Sequence, residues 1–151
     1  MGPSENIRLS ALIREKTAEL GFDLCGFARA RKLSECQEML TKWCAEGMHD
    51  KMYYLLRDPE KRATPEMLFP GAKSMIVTGL NYYTDNRQKQ SDVPLLSIYA
   101  FGKDYHNLIT ERLERLLSYI KAIIPDADGR AFCDDAPVVC EDTFVHKNKI
   151  L

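Results

Sequence analysis

The chain has 151 residues, 45% of them hydrophobic and 28% charged, with a formal net charge of −1. That length fits one domain of ordinary globular composition, residues 1–151 together, and a nearly neutral chain has no whole-molecule field to draw in nucleic acid or an anionic membrane. No apolar run reaches the roughly 20 residues a bilayer demands and no signal-peptide core opens the chain, so a cytoplasmic protein with no membrane contact is expected. The cysteines Cys25, Cys36, Cys44, Cys133 and Cys140 are odd in number and none stand as C-x-x-C. Free thiols in a reducing compartment follow, and these residues supply no zinc ribbon or iron–sulfur cluster of their own.

In chain order, Leu9, Leu12, Ile13, Thr17 and Leu20 fall on one face of a predicted helix over Asn6–Leu20, with Gly21 placed to close it in a left-handed cap. Phe22–Ala28 reads as a strand with a glycine inside it. Ser34 with Gln37 forms a capping box for a second helix, whose apolar stripe is Cys36, Met39, Leu40, Trp43 and Cys44 and which Gly47 ends. Met52–Leu56 reads as a short helix, Arg57–Arg62 as a charged, capped turn, and Thr64-Pro65 as the start of another short helix that Phe69-Pro70-Gly71 breaks. Ser74–Tyr83 has the low charge and strand propensity of a central strand. The polar stretch Thr84–Val93 is the best candidate for a mobile loop, and Leu95–Phe101 reads as a second strand antiparallel to the previous one.

Asp104 is placed to cap the strongest predicted helix, in which Tyr105, Leu108, Ile109, Leu113, Leu116, Leu117, Ile120 and Ile124 keep one face until Pro125. Ala127-Asp128-Gly129 then turns the chain into a short buried strand, Arg130-Ala131-Phe132-Cys133, that delivers Asp134 to its end ahead of Pro137. An expected antiparallel pair among irregularly spaced helices indicates α+β architecture: a mixed or antiparallel central sheet flanked by helices. By its residues alone, Asp134 caps the turn before Pro137.

Several segments together resemble the epoxyqueuosine reductase family in its N-terminal, cobalamin-binding region. They are Gly21–Ala28, Met52-Tyr53-Tyr54-Leu55, Arg57–Arg62, Pro70–Ser74, Leu80-Asn81-Tyr82-Tyr83, Tyr99–His106, and Asp134 with Ala136-Pro137-Val138. The resemblance implies a nitroreductase-like cobalamin-binding domain, and for the family a reductase that removes the epoxide oxygen of epoxyqueuosine in tRNA. Family members draw electrons from two [4Fe–4S] clusters in a downstream module. Loss of that oxygen leaves an alkoxide needing a proton, so the chemistry wants a carboxylic acid that burial keeps protonated. Asp134 matches the family's acid in its D-T-A-P motif, although Asp135 replaces the threonine.

By the same resemblance, Arg57, Tyr99, Ala100 and Asp134 face the cobalamin, and His106, Tyr105 and Asn81 face the substrate. Arg57 suits a phosphate or propionamide clamp, the alternative being a solvated charge in its run. Tyr99 and Ala100 would offer the corrin a flat surface and a gap. His106 is a second acid, a substrate contact or a structural histidine, while Asn81, Tyr82 and Tyr83 line the pocket or pack its rim. After Val138 the family's helix, the glycine-rich part of its A-G-L-G-W-I-G-K-N-T segment and its cysteine ladder have no counterpart here, with Lys147-Asn148 reading as a remnant of K-N-T. The domain is therefore expected to be incomplete at its C-terminus and not active alone. The other expectations are a module holding cobalamin or a flavin for a partner, and an interaction protein that homodimerises through exposed apolar surface. Contact with tRNA is implied by the family alone.

Overall fold

The computed structural model describes residues 3–85, 87–100 and 102–133, with the backbone alone for Pro3 and Tyr99. Its contacts divide into two compact units, Met1–Cys25 with Thr78–Cys133, and a second whose described part is Gly26–Val77. The architecture is α+β. Strands β1 (Leu24–Arg29) and β2 (Ser74–Gly79) pair side by side. They are antiparallel, because the Asp23 N–H donates to the Gly79 carbonyl at one end and the Ala30 N–H to the Lys73 carbonyl at the other. Among the described residues no helix is long and apolar enough to cross a membrane.

The first unit is built on two long helices, α1 (Pro3–Glu19) and α5 (Tyr105–Ile123), packed on each other. Ile13, Thr17 and Leu20, with Phe22 just beyond α1, are buried, as are Leu116 and Ile120 of α5. The largest fully buried side chain among the described residues is Thr17, whose hydroxyl donates to the Ile13 carbonyl at 2.7 Å, so its burial leaves no donor unpaired. Lys16 lies 5.5 Å from the Tyr119 ring centroid and adds a cation–π contact between the two helices.

The end of α1 follows from one glycine. Gly21 sits at φ +82°, its N–H donates to Ala18 and the Phe22 N–H reaches back to Thr17, the paired bonds of a Schellman cap. Arg112 of α5 donates to the Gly21 carbonyl at 2.9 Å, and a Cβ on Gly21 would meet its Nη1 at 3.1 Å. The guanidinium can swing aside; the backbone cannot change sign of φ without losing the cap. Gly21→Ala is therefore expected to cost about 1–2 kcal/mol, read as a lower midpoint in urea unfolding with an unchanged slope.

In the second unit, α2 (Ser34–Ala45) packs on α3 (Pro59–Ala63). Leu33, Cys36 and Ala63 form its buried cluster, the Leu33 N–H donates to the Ala63 carbonyl at 2.8 Å, and Lys32 meets Glu60 at 2.6 Å. Cys44 is buried too, its thiol 3.9 Å from the Leu55 carbonyl of the 3-10 turn Tyr53–Leu56. Helix α4 (Pro65–Leu68) follows Thr64 with Pro65 in its first turn, as expected.

Four sequence expectations are corrected. Ser34 is the first helical residue rather than a cap: Leu33 occupies the cap position, makes no side-chain bond, and receives the Gln37 N–H on its carbonyl. On α2 only the two cysteines of the stripe are buried, while Met39 is 62% exposed and Trp43 36%. Leu95–Phe101 forms no strand among its described residues, only a 3-10 turn at Ile98–Ala100. The Leu96 N–H that a ladder would need goes to Gln88 Oε1 at 3.0 Å, and Gln88 Nε2 donates to the Gln90 and Pro94 carbonyls. The described residues of the last expected strand, Arg130–Cys133, are not a strand. Ahead of them Asp128 is tied to Lys121 at 2.7 Å, and Gly129 lies so near α5 that a Cβ there would be 3.0 Å from Leu117. Asp134 and everything after it lie outside the described residues.

Candidate functional site

The best-defined cluster of candidate side chains stands at the start of α5. Gly102 turns the backbone at φ +100°, and Asp104 then caps the helix. One carboxylate oxygen, Asp104 Oδ1, accepts the backbone N–H of His106 at 2.9 Å and lies 2.8 Å from His106 Nδ1. The Tyr105 ring stacks on the imidazole, centroids 4.1 Å apart and planes 25° apart. The helix start thus fixes His106 by a backbone bond, a ring-nitrogen bond and a stacked neighbour, and half-buries both rings.

The His106 side-chain bond, followed by its backbone N–H, holds the Asp104 carboxyl below the usual aspartate range. Glu60 is lowered by the Lys32 hydrogen bond and Asp128 by that of Lys121. A depressed carboxyl adds stability that is fully present above the unfolded-state pKa and is lost as the pH falls through the folded value. All three groups are solvent-facing, so each effect is modest and screened by salt. Stability should therefore decline below about pH 4, and Asp104→Asn, which keeps a capping oxygen, should flatten that decline when unfolding is followed by circular dichroism across the acid range.

Asn81 lies just past β2 and serves the turn there. Its N–H donates to Asp23 Oδ2 at 2.6 Å and its side-chain oxygen accepts the Tyr83 N–H at 3.0 Å. Tyr82 and Tyr83 are exposed, and Arg87 lies over the Tyr83 ring at 5.6 Å while donating to the Thr84 carbonyl. Ala100 is exposed at the end of its 3-10 turn. Arg57 falls in the other unit, at the end of the Tyr53–Leu56 turn; its backbone N–H donates to Tyr54 and its side chain is exposed. Arg62 instead folds back, donating to the Tyr54 carbonyl at 3.0 Å with its guanidinium 5.7 Å from the Tyr54 ring. An open depression of about 390 Å³ lies beside this turn, lined by Gln37, Asp58, Pro59, Glu60, Lys61 and Met67. None of the described candidate side chains lines it.

Tyr105 and His106 are thus brought together, Asn81 and Ala100 stand elsewhere in the same unit, and Arg57 belongs to the other. Reading the sequence missed Asp104 as the partner of His106. The signal was there, an aspartate at a helix cap with a histidine two residues on.

The family model described as "Epoxyqueuosine reductase QueG, DUF1730" matches residues 62–135. An epoxyqueuosine reductase from Leadbetterella byssophila is 40% identical over 127 residues, which is 84% of this chain and 42% of that protein. The chain belongs to the epoxyqueuosine reductase family. It spans about two-fifths of the length of such relatives. Two solved family members share its fold. One holds a tRNA-Tyr epoxyqueuosine-modified tRNA stem loop (TM-score 0.72, 25% identity, 87% of this chain and 36% of that one). The other, from Bacillus subtilis, has its catalytic aspartate loop swung out of the active site (TM-score 0.64, 26% identity, 80% of this chain and 33% of that one).

Proposed function

We propose that this chain carries the acid and cofactor-facing part of an epoxyqueuosine reductase, with Asp134 as the proton donor and cobalamin as the cofactor. The observation that carries the reading is the 40% identity to a named epoxyqueuosine reductase over 84% of the chain. The catalytic aspartate loop of the Bacillus subtilis relative supports an aspartate in that role. A solved relative's tRNA stem loop supports tRNA as the substrate carrier.

The residues present fit a flat, anion-tailed cofactor in their chemistry. Arg57 offers an exposed guanidinium with the donor fork that phosphate takes. Ala100 is exposed at the end of its turn and has no side chain beyond Cβ, so a planar ring can approach it. When bound, cobalamin supplies the reducing metal centre for opening the epoxide. The chain's own part is to bind the cofactor through the residues that match the family, and to deliver a proton from Asp134 to the departing oxygen. Tyr105, His106 and Asn81 are assigned to the substrate side. With no C-x-x-C cysteines in these 151 residues, electrons must be supplied from outside them, and the chain by itself should show no turnover.

Titrating cobalamin against the protein and recording the visible spectrum tests this. A shifted spectrum that Arg57→Ala weakens is expected; a spectrum unchanged at high protein concentration removes the cofactor reading. A second reading, an interaction module that homodimerises, is favoured by the exposure of Met39, Met48, Tyr53, Tyr54, Leu95 and Leu96. Sedimentation as a dimer with no cobalamin spectrum would select it.

A further inference from the structure

Two basic stretches far apart in the sequence meet at one end of the β1–β2 pair. Strand β1 runs out through Arg29-Ala30-Arg31-Lys32, and β2 begins just after Lys73. The Ala30 N–H donates to the Lys73 carbonyl at 3.1 Å, which sets Lys73 beside the residue that Arg29 and Arg31 flank. With consecutive Cα atoms about 3.8 Å apart, the three side chains leave the backbone within about 10 Å of one another. That is roughly the distance over which charges still feel each other in 0.1 M salt.

Nothing nearby neutralises them. Arg29, Arg31 and Lys73 are all exposed and belong to the same compact unit. Among the described residues none of the three takes part in a salt bridge. Lys32, next in the chain, already holds Glu60 at 2.6 Å, and neither 25–33 nor 71–79 contains an aspartate or glutamate. A chain of net charge −1 therefore carries a concentrated positive end on this sheet. The exposed large hydrophobic side chains lie outside 26–33 and 71–79. The surface thus offers charge without an apolar anchor, which suits a phosphate backbone better than a lipid interface.

We propose that Arg29, Arg31 and Lys73 form a contact for the phosphate backbone of the tRNA that carries the substrate. The contact adds affinity and reads no base. It rests on tRNA being the substrate carrier, and it deepens that reading by naming a surface outside the residues assigned to cofactor, acid and substrate. Pairing of strands brings its two halves together, so neither stretch announces it alone.

The test is binding of an unmodified tRNA-Tyr transcript to the full chain, followed by fluorescence polarisation between about 50 and 200 mM salt. The wild type is expected to bind with an affinity that falls steeply as salt rises. The triple variant Arg29→Ala, Arg31→Ala, Lys73→Ala should bind about tenfold or more weakly at the low-salt end. Its slope of log K against log salt should be shallower by about 2–3, with circular dichroism retained. Lys73→Ala alone should lower the slope by about 1, and that variant decides should the triple variant not fold. Removing two charges that are already paired, in Lys42→Ala with Lys121→Ala, should change binding by no more than about twofold, against a clear loss for Arg29→Ala with Arg31→Ala. A wild type that binds no tRNA overturns the proposal, as do equal losses in those two double variants. So does an unchanged slope in a folded triple variant, the result expected if the basic end only keeps the sheet edges from pairing with another copy. Tighter binding to phosphatidylserine vesicles than to the transcript would overturn it in favour of a membrane surface. Cobalamin titration is read separately, so a shifted spectrum beside any of these results removes the contact and leaves the cofactor reading standing.

Discussion

Replacing Leu116 by alanine is expected to lower the unfolding free energy by about 2–5 kcal/mol, against roughly 1 kcal/mol or less for Leu108→Ala on the same helix. Leu116 is 3% exposed and Leu108 42%. The first replacement opens a cavity between α5 and the buried residues of its unit, and the second trims a side chain already half in water. Ile120, buried on the same stripe, should behave like Leu116. Urea unfolding followed by far-ultraviolet circular dichroism measures both. Equal losses at the two leucines would show that α5 is not seated through the Leu116–Ile120 stripe, and the account of the first unit would fail with it.

That contrast also shows what the residues could and could not announce. The α5 stripe was legible because apolar spacing at three and four residues has one helical solution, and the cap at Asp104 follows from the same pattern. Gly21 announced the end of α1 because few residues other than glycine take its backbone angle without strain. The α2 stripe was overread, since periodicity names a face without saying what covers it; Met39 and Trp43 lie on that face and stay exposed. The missing strand at Leu95–Phe101 has a different cause. Strand propensity speaks for the residues, but a strand exists only if its N–H groups find a neighbouring edge, and Gln88, eight positions before Leu96, supplies the acceptor instead. As to the site, no local pattern could place Arg57 in a different unit from Tyr105 and His106. Their association as one family's residues came from the resemblance, and only the Asp104–His106 pair was recoverable from spacing.

Asp134→Asn carries the largest functional effect. With cobalamin and a chemical reductant supplied, conversion of an epoxyqueuosine-containing tRNA stem loop is expected to fall by about 10²–10⁴-fold, the usual worth of a positioned general acid. The asparagine side chain keeps the aspartate's shape and can still donate a weak hydrogen bond, but it has no proton to give to the oxygen that leaves the carbon framework. The loss should appear in kcat with KM little changed, since the proton is needed only as the carbon–oxygen bond breaks. The visible spectrum of bound cobalamin should survive, which separates loss of the acid from loss of the cofactor. Arg57→Ala should do the reverse, weakening the spectral titration while leaving turnover at saturating cobalamin closer to wild type. Conversion undiminished in Asp134→Asn would leave the family membership intact and move the acid elsewhere.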